Sequence, residues 1–204
     1  MYERQVGIIS PEKLKYLSAT VVGVGAVGGY AALSLSKMGV KPTIIDPDTV
    51  EEENIAPQIY RPSDKGKKKV DACKEIIKEF TGLEIAGVAC EYIGESAEVL
   101  IATVDSMKIR KDIFEKRAEL FIDGRMMGEV GRIITIKKDD PDDLYLSTWH
   151  TDEASEPAPC SARSIVYNTS ILGNLIVNQI KKYVCGEDIP RDILVDLVNC
   201  QLIS

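Results

Sequence analysis

This 204-residue chain has few of the residues that build metal sites and disulfide frameworks, namely histidines and closely spaced cysteines. It contains one histidine, His150, and five cysteines, none of which forms a Cys-x-x-Cys pair. One histidine cannot build a histidine-rich metal site, and scattered cysteines indicate neither a structural zinc site nor a disulfide framework. A Ser-His-Asp triad would rest on His150 alone. The composition therefore argues against hydrolases and zinc proteins and predicts free thiols.

Long apolar runs and an excess of basic residues are also missing. No run approaches the roughly 20 apolar residues that span a bilayer, and the N-terminus lacks the basic-then-apolar pattern of a secretory signal. Lys and Arg number 25 against 32 Asp and Glu, and the net charge of -7 repels nucleic acid and anionic lipid. We therefore expect a cytoplasmic protein that binds neither nucleic acid nor membranes.

The apolar residues that are present make up 45% of the chain and alternate between two periodicities. Short buried-type runs predict strands, and apolar spacing of three to four residues predicts helices between them. The predicted strands are 19–24, 41–45, 83–89, 99–104 and 119–122, and the predicted helices are 28–38, 67–80 and a third through Ile109 and Ile113. This alternation predicts an α/β fold with a Rossmann-like, doubly wound, mainly parallel sheet.

The pattern changes in the last third of the chain. Residues 130–136 and 144–149 flank an acidic turn and predict an antiparallel hairpin, followed by a long helix at 161–184 and a last strand at 193–202. These segments would extend the parallel sheet with antiparallel strands. No linker, repeat or low-complexity segment divides the sequence, so we expect one domain over residues 1–204.

A glycine-rich turn carries the first functional signal. Gly23-Val-Gly25-Ala-Val-Gly28 lies between a predicted strand and a predicted helix, where glycines let the backbone approach a phosphate at the positive end of the helix. Asp46 ends the next strand, where a carboxylate accepts hydrogen bonds from a ribose. Together they predict a nucleotide site, and the alternative is a tight turn with a helix cap and no ligand.

Charged residues around this turn favour ATP over NAD. Asp48 and Asp105 follow two different strand ends, and paired carboxylates there suit Mg²⁺ and its phosphates. The run Lys65-Gly-Lys-Lys-Lys69 opens a helix, where cations cost stability unless an anion compensates them. The alternative for the lysines is a solvated charge run with Asp64 as helix cap.

Taken together, these motifs resemble the ThiF/MoeB/HesA and ubiquitin-activating-enzyme superfamily of adenylyltransferases, over about residues 2–184. The resemblance rests on the glycine loop and on five further short motifs. They are Tyr2-Glu-Arg4-Gln5, Asp46-x-Asp48-x-Val50, Asn54 with Gln58, Gly66-x-x-Lys69, and Val104-Asp105 followed by Arg110.

The resemblance implies a role for several residues. Asp46 would hold the ATP ribose, Lys69 the phosphates, and Asp105 would be the aspartate linked to Mg²⁺. Arg4 would reach the ATP of a neighbouring subunit, which implies a homodimer. Gly23, Gly25, Gly28, Asp48 and Asn54 would complete the nucleotide-binding set.

One position departs from the family pattern. Where the family commonly has Asn-Leu-x-Arg-Gln, this chain has Asn54-Ile-Ala-Pro57-Gln58 and lacks a phosphate-contacting arginine. Either Arg61 substitutes for it, or adenylation is weakened or its geometry altered.

Cys160 is the second chemical signal, because it directly precedes the predicted long helix and a helix N-terminus favours the thiolate. The stretch from Cys160 resembles the segment around the transfer cysteine in the activating enzyme of the ubiquitin-fold modifier, which implies thioester formation. The alternative is an inert small apolar residue. We expect no catalytic role for the other cysteines: Cys73, Cys90, Cys185 and Cys200.

The sequence thus predicts ATP- and Mg-dependent adenylation of the C-terminal carboxylate of a small ubiquitin-like or sulfur-carrier protein, with a thioester on Cys160 as a further step. Two alternatives remain. A nucleotide-binding partner or scaffold without turnover would explain Pro57. An NAD-dependent oxidoreductase would explain the glycine loop and Asp46 but leave Arg4, Lys69 and Asp105 without a role.

Overall fold

A computed structural model of the chain describes residues 2–151 and 164–204. The helices and strands alternate through most of this range. In chain order they are α1 (Pro11–Leu14), β1 (Ala19–Val22), α2 (Ala26–Met38), β2 (Thr43–Ile45), α3 (Lys69–Thr81), β3 (Gly87–Val88), β4 (Val99–Ala102), α4 (Met107–Phe114), β5 (Leu120–Met127), β6 (Val130–Lys137), α5 (Asp143–Ser147), α6 (Val166–Cys185), β7 (Asp192–Asp196) and β8 (Gln201–Ile203).

The strands form one sheet in the order β3-β2-β1-β4-β5-β6-β7-β8. The pairs from β3 to β5 are parallel, and β6, β7 and β8 add antiparallel strands. The predicted fold, a doubly wound and mainly parallel sheet with an antiparallel C-terminal extension, is confirmed. The chain leaves β1 toward β2 and later returns to β4 on its other side, so the strand order reverses between β1 and β4. Open α/β sheets bind ligands at the carboxyl edge of such a point.

Helices cover both faces of the sheet. One face packs against α2, α3 and α6 around Val21, Leu35 and Ile176, and the other packs against α4 and α5 around Phe121 and Tyr145. All four residues of β1 and of β4 are buried, as expected for strands covered on both sides. Among the described helices, none is both long and apolar enough to cross a membrane.

The segment predicted as the second strand of a hairpin is a short helix instead. Residues 143–147 form α5, and β6 pairs with β5 and with β7. Tyr145 is fully buried, with its ring centroid 4.4 Å from that of Phe114 and 5.0 Å from that of Phe121. A single buried aromatic anchor suits one helical turn, and β7 already occupies the edge of β6 that the predicted strand would need.

Other boundaries differ from the prediction in extent. Only Gly87 and Val88 of the predicted third strand pair with β2, whereas β5 runs on to Met127. The predicted last strand is two strands, β7 and β8, joined by a turn in which the Asn199 backbone N–H donates to Asp196 Oδ1 at 3.1 Å.

Candidate functional site

The glycine loop connects β1 to α2 at the point where the strand order reverses. Gly23 has φ of +86°, and a Cβ there would lie 2.6 Å from the Thr103 carbonyl oxygen at the end of β4. A Cβ on Gly28 would lie 1.9 Å from the Gly23 carbonyl oxygen. The Thr103 hydroxyl donates to that same oxygen at 2.7 Å. Glycine is therefore required at positions 23 and 28 for the loop to pack against β4 and the first turn of α2.

Gly25 has a different role, because a Cβ built there would only come into ordinary van der Waals contact. The nearest atoms to a Cβ built there are the two side-chain amide atoms of Gln58, at 4.0 Å. Gly25 is also the N-cap of α2, and no side chain caps this helix. The first backbone N–H groups of a helix lack intrahelical partners and carry a positive partial charge. The open N-terminus of α2 is thus shaped to accept an anionic group such as a phosphate.

Asp46 fixes the loop from the end of β2. Its Oδ2 accepts from the Val24 backbone N–H at 2.8 Å, and its Oδ1 accepts from the Asp48 backbone N–H at 2.9 Å. Burial raises the pKa of this carboxyl, and the charge of Lys69 and the two backbone hydrogen bonds offset that effect only in part. Each oxygen has a second lone pair, so the carboxylate can also accept hydrogen bonds from hydroxyl groups of a ligand.

Lys69 is the residue of the lysine run whose ammonium group pairs with Asp48, and its charge lowers the pKa of the Asp46 carboxyl. Its Nζ lies 2.8 Å from Asp48 Oδ2, and the Lys69 side chain is 10% exposed whereas that of Asp48 is 62% exposed. The other three lysines contact Glu52, Asp64, Glu75 or the Pro47 carbonyl oxygen. The run is therefore divided, with Lys65, Lys67 and Lys68 in surface contacts and Lys69 at the site.

Asp105 follows β4 at the same edge of the sheet and is exposed. No group of three or more His, Cys, Asp or Glu residues that could hold a metal ion occurs among residues 2–151 and 164–204. Mg²⁺ is typically held by one or two carboxylates together with substrate phosphates and water. Asp48 and Asp105 are exposed carboxylates that follow β2 and β4 at this edge, and a nucleotide would have to supply most of the remaining ligands of such a site.

Asn54 and Arg61 form contacts within the connection between β2 and α3 and with α3. The Asn54 side-chain oxygen accepts from the Glu51 backbone N–H at 2.9 Å and closes a short 3-10 turn at Glu52–Asn54. Arg61 forms ion pairs with Asp64 at 2.9 Å, with Glu79 and with Glu75. The structure therefore does not bring Arg61 to the position that Pro57 leaves without an arginine.

Arg4 lies far from the glycine loop of its own chain. It is exposed in the 3-10 turn Glu3–Gln5, and the neighbouring Gln5 donates to the Met38 carbonyl oxygen at 3.0 Å. Met38 is the last residue of α2, and a helix of 13 residues is about 20 Å long. Arg4 and Gly25 are therefore close to opposite ends of α2.

Cys160 lies outside the described residues. Ser164 pairs with Gly128, Ile165 precedes the helix, and α6 begins at Val166. The long helix therefore begins about five residues later than the predicted start at 161, and the role of Cys160 stays a prediction. Of the described cysteines, Cys73 is fully buried, and this burial raises the pKa of its thiol to about 12.

Sequence reasoning missed a buried ionic cluster in the middle of β5, at the residue where the pairing of β5 with β4 ends. The Asp123 carboxylate is fully buried and pairs with Arg110 and with Arg125, whose Nη2 lies 2.8 Å from Asp123 Oδ2. Arg110 Nη1 also donates to the Gly124 carbonyl oxygen at 3.1 Å. Only the spacing of two residues between Asp123 and Arg125, which places both on one face of a strand, signals the cluster in the sequence.

The chain matches one protein family along almost its whole length. The model of the ThiF family matches residues 2–203. Among curated proteins, the ubiquitin-like modifier-activating enzyme 5 of Dictyostelium discoideum is 30% identical over 115 residues, which is 55% of this chain and 28% of that protein. The adenylyltransferase and sulfurtransferase uba4 of Neosartorya fischeri is 39% identical over 77 residues, 37% of this chain and 16% of that protein. Both relatives are therefore much longer than the matched region.

Solved structures share the fold. E. coli MccB with ATP superimposes with a TM-score of 0.77 at 14% identity, covering 95% of this chain and 64% of that one. PaaA gives a TM-score of 0.74 at 20% identity, covering 95% and 73%. At these identities the likeness concerns the arrangement of the sheet and helices.

Proposed function

The chain belongs to the ThiF family, and on that premise we propose that it adenylates the C-terminal carboxylate of a small ubiquitin-like or sulfur-carrier protein with ATP. The observation that carries the proposal is the convergence of Asp46, Lys69 and the open N-terminus of α2 at the sheet edge where the strand order reverses. The names of two relatives, a modifier-activating enzyme and an adenylyltransferase, support the same reaction.

The proposed reaction requires little acid-base catalysis from the protein, because a carboxylate is already a nucleophile. A carboxylate oxygen of the carrier attacks the α-phosphorus of ATP, a bond forms between them, and pyrophosphate leaves with the electron pair of the broken bond. The protein must align the two reactants and offset the charge on the leaving pyrophosphate. Asp46 would hold the ribose, Gly25 would let the phosphates approach α2, and Lys69 would exchange Asp48 for a phosphate oxygen.

Asp105, together with Asp48, would hold Mg²⁺ on the bound nucleotide. The ion, when bound, supplies positive charge that stabilises the phosphate oxygens. Asp105 is suited to this by its exposure and by its place directly after β4.

A homodimer is part of the proposal. Arg4 lies near the end of α2 that is remote from its own glycine loop, so its family role requires the site of a second copy. In a C2 dimer, Arg4 of each chain would enter the nucleotide site of the other chain.

Thioester formation on Cys160 is a separate step. The thiolate sulfur would attack the carbonyl carbon of the carrier adenylate and release AMP. Adenylation itself does not depend on this step.

A nucleotide-binding partner without turnover is the second candidate. The observation that favours it is the absence of an arginine at Pro57, together with the three carboxylates that hold Arg61. Such a protein would bind ATP without exchanging pyrophosphate.

Carrier-dependent exchange of labelled pyrophosphate into ATP tests the proposal. We expect exchange in the parent chain and its loss in Asp105→Asn. Asp139→Asn is the matched control, because Asp139 is an exposed aspartate in the turn after β6, at the opposite edge of the sheet. Binding of ATP without exchange would support the second candidate, and hydride transfer with NAD would contradict both.

A further inference from the structure

Tyr60 is a buried tyrosine beside the glycine loop that the proposed reaction has not used. The residue is 4% exposed, and its hydroxyl donates to the Val24 carbonyl oxygen at 2.6 Å. The Lys69 carbonyl oxygen lies 3.3 Å from the same hydroxyl. A hydroxyl has one hydrogen, so Val24 is the principal acceptor and Lys69 the weaker one. One side chain thus connects the loop before α2 with the first residue of α3.

The hydrogen bond to Val24 determines the direction of the next backbone N–H. In a planar trans peptide the carbonyl and the N–H point in opposite directions. Because the Val24 carbonyl points at Tyr60, the Gly25 N–H points away from it. Within the described parts of the chain no acceptor contacts this N–H, and a Cβ built on Gly25 would meet no atom closer than 4.0 Å. It is therefore an unused donor at the N-terminus of α2.

Val24 is held on its other side as well. Its own N–H donates to Asp46 Oδ2 at 2.8 Å, so both peptide groups that flank Val24 are fixed by buried side chains. Asp46 fixes the first and Tyr60 the second. Loss of either bond would free one of the two peptide groups to rotate.

The contact with Lys69 acts at the start of α3. The Lys69 backbone N–H donates to the Asp48 carbonyl oxygen at 3.0 Å, and its Nζ contacts the Asp48 carboxylate. The Tyr60 hydroxyl therefore lies between the two elements from which phosphate contacts would come, the glycine loop and α3.

We infer that Tyr60 is a positioning residue, which aims the Gly25 N–H and the Lys69 side chain at the phosphates of a bound nucleotide. The inference rests on the proposed function, since it takes the loop to bind ATP. Tyr60 would touch neither the nucleotide nor the reacting atoms. Its effect would appear only in the part of the affinity that comes from phosphate contacts.

Tyr60→Phe tests the inference, because it removes the hydroxyl and keeps the ring. Tyr145→Phe is the matched control, a buried hydroxyl on the opposite face of the sheet between Phe114 and Phe121. Calorimetric titration with ATP and Mg²⁺, and separately with adenosine, measures both variants. We expect ATP to bind Tyr60→Phe about five- to thirtyfold more weakly and adenosine to bind it within about twofold of the parent. Tyr145→Phe should bind both ligands as the parent does.

Two results would overturn the inference. One is parent-like ATP affinity in Tyr60→Phe, and the other is an equal loss of adenosine and ATP affinity, which indicates general loosening. A parent chain that binds no ATP would overturn the proposed function and the inference with it. Selective loss of ATP binding in a chain that shows no carrier-dependent exchange would overturn the proposed function alone.

A second measurement uses the unmodified chain and does not depend on the folding of a variant. In a nitrogen-15 spectrum, addition of ATP should move the Gly25 amide resonance, because its free N–H gains an acceptor. A Gly25 resonance that stays in place at saturating ATP would contradict the inference.

Discussion

At the scale of single residues, Lys69 differs from its neighbour Lys68 in what surrounds it. Lys69 is buried against Asp48, whereas Lys68 is exposed and donates to the Pro47 carbonyl oxygen. The two positions differ by one residue and have the same charge, so they form a natural pair for mutagenesis.

We predict that Lys69→Met lowers carrier-dependent pyrophosphate exchange by about a hundredfold or more, the effect of removing one charge-stabilising donor. Lys68→Met should change it by no more than about twofold, as expected for a surface lysine. Rates measured at saturating ATP check the prediction. Equal losses in both variants would assign the effect to net charge and contradict a specific role for Lys69.

Asp64 is a residue whose effect on stability depends on pH. Burial raises the pKa of its carboxyl, but hydrogen bonds from Arg61 and Lys67 outweigh burial and lower the pKa to about 2. Because the pKa in the folded chain lies below its value in the unfolded chain, about 3.9, the carboxylate stabilises the fold above pH 4. This contribution is lost as the pH falls toward 2.

Asp64→Asn should therefore lower the free energy of unfolding by about 1–2 kcal/mol at pH 7, and the difference should shrink between pH 4 and pH 2. Urea unfolding over this pH range measures both effects. Glu79→Gln removes an exposed partner of the same arginine and should cost less than about 1 kcal/mol. A constant difference for Asp64→Asn at all pH values would contradict the assigned pKa.

At the scale of elements, the contact between α2 and α6 depends on the absence of a side chain at Gly173. A Cβ there would lie 2.8 Å from Tyr30 Cβ and 2.9 Å from the Val27 carbonyl oxygen. Since two of the three nearest atoms belong to the α2 backbone, the helices cannot accommodate the methyl group without moving apart.

We expect Gly173→Ala to lower the free energy of unfolding by about 1–3 kcal/mol, despite the higher helix propensity of alanine. Asn178→Ala, at an exposed position of α6, should stay within about 0.5 kcal/mol of the parent. Chemical unfolding of both variants provides the comparison. A more stable Gly173→Ala chain would show that α6 is free to shift against α2.

Elements with a strong local signal were predictable, and those determined by their neighbours were not. The 3.6-residue spacing of α3 and the buried run of β1 follow from sequence alone. The short helix α5 does not, because residues 144–149 also alternate like a strand and only the site for Tyr145 between two phenylalanine rings decides the outcome. Likewise, the length of β5 is determined by its eight-residue pairing with β6.

The same division holds in the candidate site. The glycine loop and Asp46 were found because their spacing along the chain implies their place at strand ends, and Lys69 was found because it opens a helix and matches a family motif. Tyr60 and Asp123 were missed because each has a partner in another element: Tyr60 hydrogen-bonds to Val24, 36 positions earlier, and Asp123 pairs with Arg110, 13 positions earlier. Tyr60 belongs to no local motif that would reveal such a contact, and Asp123 is signalled only by its two-residue spacing from Arg125.

At the scale of the whole molecule, the proposed homodimer and the position of Arg4 together predict complementation between inactive chains. Arg4→Ala and Lys69→Met should each abolish exchange alone, the first by removing a residue of the partner's site and the second by damaging its own. Mixed after unfolding and refolding, equal amounts should recover about one quarter of the parent activity, because half of random dimers are mixed and each mixed dimer has one intact site. If mixed dimers form but the exchange activity does not recover, the role of Arg4 is contradicted.

The reversal of strand order has a consequence for how the molecule acquires a ligand site. β1 pairs with β4 through Ala19 and Val99, which are 80 positions apart, and the Gly23 turn rests on Thr103. Contacts so distant in sequence form late and slowly. A nascent chain that already carries all three loop glycines would therefore lack a complete phosphate-binding loop until β4 has been synthesised. In a refolding experiment, the time at which the chain begins to bind nucleotide would show when the sheet is complete.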